Sequence, residues 1–248
     1  YMMGGYPTFE RSIDIANTLV DGGSDIIEVG IPFSDPIADG PIIQSAAKTS
    51  LENGMTLKKV MRLCKKVREK HSTPIVLMGY LNPIYQMGYE HFFEEAKACE
   101  VDGVIIPDLP LEESEIFRTI ARENRIDVIM LAAPSTSLDR LRRIASQTSG
   151  FLYLVSVYGV TGPRQRISNN SLGYIRSAVR TVSNRVRLCV GFGVSKTEQI
   201  EQIARTGVDG VVVGSYLISE LSKSMYSRNA LRKLEANTRR LKKATVSH

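Results

Sequence analysis

The sequence predicts an α/β fold, a single (β/α)8 TIM barrel of the phosphate-binding type, and three observations carry that expectation. Short apolar runs alternate with helix-like stretches along the whole chain. Eight such runs with their crossovers fit a length of 248 residues, the usual size of a closed barrel. Most of the runs are continuously apolar, as expected for parallel strands covered by helices. A doubly wound open sheet is the alternative, but no GxGxxG run follows the first strand. Neither a linker nor a low-complexity segment interrupts the pattern, so residues 1–248 are expected to form one domain.

The strands are expected at residues 1–3, 26–29, 75–79, 103–106, 127–131, 151–155, 187–190 and 210–213. Helical periodicity marks 9–21, 57–70, 89–99, 112–124, 138–147, 172–182 and 197–205, with Gly22, Gly23 and Gly207 as terminators. The net charge of +6 is concentrated near the end of the chain. Lys223, Arg228, Arg232, Lys233, Arg239, Arg240, Lys242 and Lys243 face only Glu235 there. This stretch reads as one C-terminal helix with Leu217, Leu221, Leu231, Leu234 and Leu241 as its apolar stripe. A solvated helix face explains the charge. An anionic partner is the alternative, without interleaved aromatics or a nucleic-acid motif to favour it.

A content of 43% hydrophobic and 23% charged residues is that of a globular protein. No uninterrupted apolar run approaches the ~18 residues of a membrane span. The opening YMMGGYP has neither the basic nor the apolar region of a signal peptide. Cys64, Cys99 and Cys189 are far apart and form no CxxC pair, which points to free thiols and a cytoplasmic location.

A barrel places its chemistry on the loops after the C-terminal ends of its strands. At the ends of the seventh and eighth strands stand Gly191, Phe192, Gly193, Gly214 and Ser215. Glycines let backbone N–H groups close around a phosphate, and a helix opening at Ser215 adds its positive end. Gly162, in the sixth loop, can complete the ring of donors. The plainer reading is that these glycines only terminate strands.

The chemistry left at the mouth is that of carboxylates. The lysines fall on helices or beside them, which disfavours a Schiff base on a strand. His71, His91 and His248 cluster with no cysteine or acid at metal-ligand spacing, so neither a metal nor another cofactor is expected. Glu28 ends the second strand between Ile27 and Val29, and Asp39 follows in the irregular segment IPFSDPIADGP. Two carboxylates in different surroundings can divide acid and base work, the more buried Glu28 keeping its proton longer. Alternatively, Glu28 is satisfied by backbone while Asp35 and Asp39 are turn or cap residues. Cleaving a carbon–carbon bond without a Schiff base or metal needs a substrate that accommodates the charge itself. An indole protonated at C3 does so.

The run EVGIPFSDPIADGP (residues 28–41) resembles the signature of the tryptophan synthase alpha subunit family. The likeness continues through MGYLNPIYQMG (78–88), GVIIPDLPLEES (103–114), GVTG (159–162) and VGFGVS (190–195). It extends in order from Tyr1 to about Ser219. The resemblance implies a barrel lyase that cleaves indole-3-glycerol phosphate to indole and glyceraldehyde 3-phosphate in tryptophan biosynthesis. It also implies a beta subunit as partner, in an α2β2-type heterotetramer. By resemblance the catalytic residues are Glu28, Asp39 and Tyr153, and Tyr80 and Thr161 line the site. Gly162, Gly193, Gly214 and Ser215 correspond to the phosphate-binding amides, and Tyr1, Met78 and Phe192 to the indole pocket. Asp35 and Pro36 correspond to positions facing the beta subunit. Many bacterial members carry an arginine where this chain has Val157 and a small residue where it has Tyr158.

Two other readings stand beside the lyase. A phosphosugar epimerase would need metal ligands, and an amino-sugar isomerase would need an aspartate on the first strand, where YMM supplies none. A barrel serving mainly as an allosteric subunit is favoured only by Val157 and Tyr158.

Overall fold

The computed structural model describes residues 1–155, 167–191, 193–224 and 227–246. The strands are β1 (Met2–Met3), β2 (Ile27–Gly30), β3 (Ile75–Met78), β4 (Gly103–Ile105), β5 (Asp127–Ile129), β6 (Leu131–Ala132), β7 (Phe151–Val155), β8 (Arg187–Gly191) and β9 (Gly210–Val211). They run parallel in the orders β1-β2-β3-β4-β5 and β6-β7-β8-β9. The expected fifth strand is thus split at Met130. The Met130 carbonyl still accepts the Tyr153 N–H at 3.0 Å, which carries the ladder across the break. At the other seam the Tyr1 nitrogen donates to the Val213 carbonyl at 2.8 Å and ties the end of β9 to β1. With β5 and β6 acting as one stave, the result is a (β/α)8 barrel.

The outer layer consists of α1 (Phe9–Asp21), α2 (Pro41–Glu52), α3 (Leu57–Arg68), α4 (Leu81–Met87), α5 (Tyr89–Ala98), α6 (Glu115–Glu123), α7 (Leu138–Gln147), α8 (Asn169–Val182), α9 (Thr197–Ala204), α10 (Ser215–Ser224) and α11 (Ala230–Lys243). Thr8, Thr56, Ser137 and Ser168 start four of these helices by accepting a backbone N–H of the first turn. The sequence pattern assigns no element to α2 or α4. Proline in the first turn, Pro41 in α2 and Pro83 in α4, is compatible with both because those N–H groups have no intrahelical acceptor.

The expectation of one C-terminal helix is corrected: the stretch forms two, α10 and α11, with a turn at residues 227–229 before Ala230. Buried Leu217 and Leu221 belong to α10, which packs on β1 and α2, whereas buried Leu234 and Leu241 belong to α11, which packs on α1. These surfaces face different directions, so one straight helix could not cover both. Several basic side chains are paired at the surface, Lys242 with Asp25 at 2.6 Å and Arg239 with Glu235 at 2.6 Å. Among the described residues, no helix is long and apolar enough to cross a membrane, and Cys64, Cys99 and Cys189 are free thiols.

Side chains alternate across each strand, and this decides what reaches the barrel axis. On β3, Ile75 and Leu77 join the helix-facing core, while Val76 and Met78 point to the inner one. The inner core also holds Ile105, Ile129, Phe151 and Tyr153. Register pairs Glu28 with Val76 and Gly30 with Met78, so Glu28 shares the inward phase of these apolar residues.

Candidate active site

Glu28 is an acid on an inward position of an apolar barrel, only 4% exposed. Its Oε2 has no hydrogen-bond partner among the described residues. Burial disfavours the charged form and raises the carboxyl pKa to about 7. An unpaired oxygen in such a place is costly to structure and available to a bound molecule. The neighbouring hydroxyls of Tyr1 and Tyr153 and the thiol of Cys189 are also raised, each mainly by burial, so all three stay protonated near neutrality.

Glycines make room for the two phenols. A Cβ on Gly30 would lie 2.2 Å from the Tyr1 hydroxyl, and one on Gly191 would lie 1.9 Å from that of Tyr153. Each tyrosine therefore rests on the strand beside its own, and Tyr1 on β2 and Tyr153 on β8 enclose the space above Glu28.

Asp39 lies where the loop after β2 enters α2. Gly40 caps that helix, and the Gln44 side chain donates to the Asp39 carbonyl at 2.7 Å, so the start of α2 holds the Asp39 backbone. Tyr80, at the end of β3, governs the Asp39 side chain. Its hydroxyl donates to Asp39 Oδ2 at 3.1 Å and accepts the Ala38 N–H at 3.0 Å, while its ring packs against Phe33 at 5.4 Å. Burial raises the Asp39 pKa and the Tyr80 hydrogen bond lowers it. Asp39 is therefore the more exposed and better hydrogen-bonded carboxylate, and Glu28 the drier one.

The glycine side of the mouth is built from backbone. Gly193 has φ +79°, a conformation that side-chain-bearing residues adopt only with strain. Gly214 abuts the Tyr1 ring, and a Cβ there would stand 3.0 Å from it. Ser215 begins α10 and directs that helix's N-terminus to the cleft. Gln199 takes up the N–H groups of Ser195 and Lys196 at 2.8 and 3.0 Å, which caps α9.

A single cleft is lined by Tyr1, Glu28, Asp39, Met78, Tyr153, Gly193, Gly214 and Ser215. Tyr80 joins it through Asp39. Thr161, Gly162, Phe192, Val157 and Tyr158 lie outside the described residues. Asp35 and Pro36 stand away from the cleft on its rim, where Ser34 donates to the Asp35 carboxylate and the adjacent Ile37 is 75% exposed. Sequence reasoning assigned no role to Ile43 and Val212, which line the cleft, or to Asp108, which anchors Leu81 beside Tyr80. The available signal for Asp108 was an acid between prolines just past a strand end. Among the described residues no group of three or more histidines, cysteines and acids could hold a metal ion.

Two carboxylates of unequal burial facing glycine backbone and a helix N-terminus in one cleft suit acid–base work on an anionic substrate, and comparison with known proteins supplies the family. The model of the tryptophan synthase alpha chain matches residues 1–246. The chain belongs to the tryptophan synthase alpha chain family. A tryptophan synthase alpha chain of Desulfatibacillum aliphaticivorans is 40% identical over 245 residues, covering 99% of this chain and 91% of that protein. One from Arabidopsis thaliana is 39% identical, covering 100% of this chain and 89% of its own length. Among solved structures, one describing mutual activation of the tryptophan synthase α2β2 complex of Pyrococcus furiosus superposes with a TM-score of 0.90 at 41% identity. That match covers 97% of this chain and 95% of the other. Membership of the tryptophan synthase alpha chain family decides for the lyase over an epimerase or isomerase, in agreement with the likeness of residues 28–41.

Proposed function

We propose that residues 1–248 act as one barrel domain in which Glu28 and Asp39 carry out the reaction of this family, cleavage of indole-3-glycerol phosphate to indole and glyceraldehyde 3-phosphate. The chain is a lyase of tryptophan biosynthesis. The observation that carries the assignment is the buried Glu28 carboxyl, whose Oε2 has no hydrogen-bond partner among the described residues, facing the same cleft as Asp39. With a pKa of about 7 it is substantially protonated at neutral pH. Glu28 donates its proton to indole C3, which places positive charge on the ring nitrogen. The carboxylate then accepts the proton of the hydroxyl on the adjacent glycerol carbon. A C=O bond forms there, the carbon–carbon bond breaks, and its electron pair restores the indole ring. The proton lost by the hydroxyl is thus the net gain of C3, and Glu28 returns to its starting form.

Asp39 accepts the indole N–H and stabilises the charge that develops on it. Tyr153 narrows the cleft beside Glu28. Gly193, Gly214 and Ser215, with Gly162, bind the phosphate through backbone N–H groups, while Tyr1, Met78, Phe192, Tyr80 and Thr161 surround the indole. The chain assembles with a beta subunit in an α2β2 complex, and the rim loop with Asp35, Pro36 and exposed Ile37 faces that partner. It works in the cytoplasm.

The test is indole release from indole-3-glycerol phosphate by the purified chain, alone and with a cognate beta subunit. Glu28→Gln and Asp39→Asn are each expected to lower kcat by about 10²–10⁴. The beta subunit is expected to raise the parent rate, and Asp35→Lys to diminish that increase. Near-normal turnover in Glu28→Gln contradicts the catalytic assignment. An undiminished increase with Asp35→Lys contradicts the interface.

A further inference from the structure

We infer that Asp108 is a positioning residue for Asp39, acting through Tyr80; the inference rests on Asp39 being the carboxylate that meets the indole. Asp108 follows β4 in a proline-flanked turn and is absent from the cleft lining. Both carboxylate oxygens approach one backbone group, the Leu81 N–H, at 2.9 and 3.2 Å. Leu81 is the first residue of α4, so the acid takes up an N–H that has no intrahelical acceptor and stands at the positive end of the helix. The residue immediately before it is Tyr80.

The backbone at residues 79–81 is consequently clamped twice to β4 and its turn, by Gly79 N–H to Ile105 O at 3.1 Å and by Leu81 N–H to Asp108. From this fixed point the Tyr80 ring reaches across Phe33, and its hydroxyl bridges the Ala38 N–H and Asp39 Oδ2. The order of dependence runs from Asp108 to the start of α4, then to the Tyr80 phenol, and finally to the Asp39 carboxylate. Loss of the first contact frees the backbone that aims the phenol, although Asp108 itself touches none of the reacting groups.

The experiment uses the full chain labelled with 3-fluorotyrosine, the Tyr80 resonance being assigned by its loss in Tyr80→Phe. Asp108→Ala is expected to shift or broaden that resonance and to lower kcat by about ten- to a hundred-fold. Inhibition by inorganic phosphate is expected to stay unchanged, because the glycine site is separate. Asp108→Asn keeps an acceptor and is expected to restore both the resonance and turnover to within about three-fold of the parent. Combined with Tyr80→Phe, Asp108→Ala is expected to add little to the loss from Tyr80→Phe alone. If Asp108→Ala does not fold, Asp108→Leu takes its place, similar in size and without an acceptor. An unmoved Tyr80 resonance, multiplicative losses in the double variant, or equal loss in Asp108→Asn overturns the inference. A displaced Tyr80 in a chain whose parent releases no indole counts against the lyase reading and leaves the positioning intact.

Discussion

Between β1 and β4 the barrel mouth presents side chains, namely the Glu28 carboxyl, the Asp39–Tyr80 pair and the Tyr1 phenol. Between β8 and α10 it presents backbone, at Gly193, Gly214 and Ser215. The first region depends on burial and on contacts from outside the cleft, since the Glu28 pKa comes from its apolar surroundings and Asp39 is held by Tyr80. The second depends on the absence of side chains. The two are therefore vulnerable in opposite ways, one to deleting a functional group and the other to adding bulk.

The largest effect that separates them is on the Michaelis constant. Gly214→Val places side-chain atoms against the Tyr1 ring, where even a Cβ would stand at 3.0 Å, and intrudes on the proposed phosphate site. It is expected to raise KM for indole-3-glycerol phosphate by about a hundred-fold, the loss of a group of charge-assisted hydrogen bonds. Ser215→Ala keeps the amide and is expected to change KM by less than about three-fold. Steady-state kinetics on both variants checks this. An equal response to the two substitutions would break the contrast between backbone and side-chain binding.

How much of this was legible in the sequence follows the same division. The burial of Glu28 was legible because the acid is flanked by Ile27 and Val29 in an apolar strand, whereas its inward phase needed the register with β3. The glycines were legible because their position at the ends of consecutive strands is a local pattern. Tyr80 entered through family resemblance only as a residue lining the site, and its contact with Asp39 was not legible, since residues 41 apart in sequence meet only once the barrel closes. Asp108 was missed for the same reason, as its Leu81 partner lies 27 residues away at the start of α4. The break at Met130 and the turn between α10 and α11 depend on tertiary packing that periodicity does not encode. The basic residues of the last helix read correctly as helical, but their charge obscured that Leu217 and Leu234 serve different surfaces.

A smaller effect sharpens the comparison from the side of stability. The Glu28 pKa is raised from 4.5 to about 7 in the folded chain, so between these values the folded state binds more protons than the unfolded one. Stability from this group is therefore present at low pH and lost as pH rises through that window, the reverse of a salt-bridged carboxylate. Glu28→Gln removes the dependence. Relative to the parent, its unfolding free energy is expected to gain up to about 3 kcal/mol between acidic and mildly alkaline pH. Urea unfolding across the window checks this, and a pH-independent difference between the two proteins would place Glu28 in a solvated setting.

The most direct measurement is the titration of the Glu28 carboxyl itself. It can be followed by carbon-13 NMR of protein labelled at the glutamate side-chain carboxyl carbon and assigned by its absence in Glu28→Gln. The buried site predicts a midpoint near 7, whereas a midpoint near the ordinary 4.5 would contradict the account of how this barrel holds a proton on Glu28.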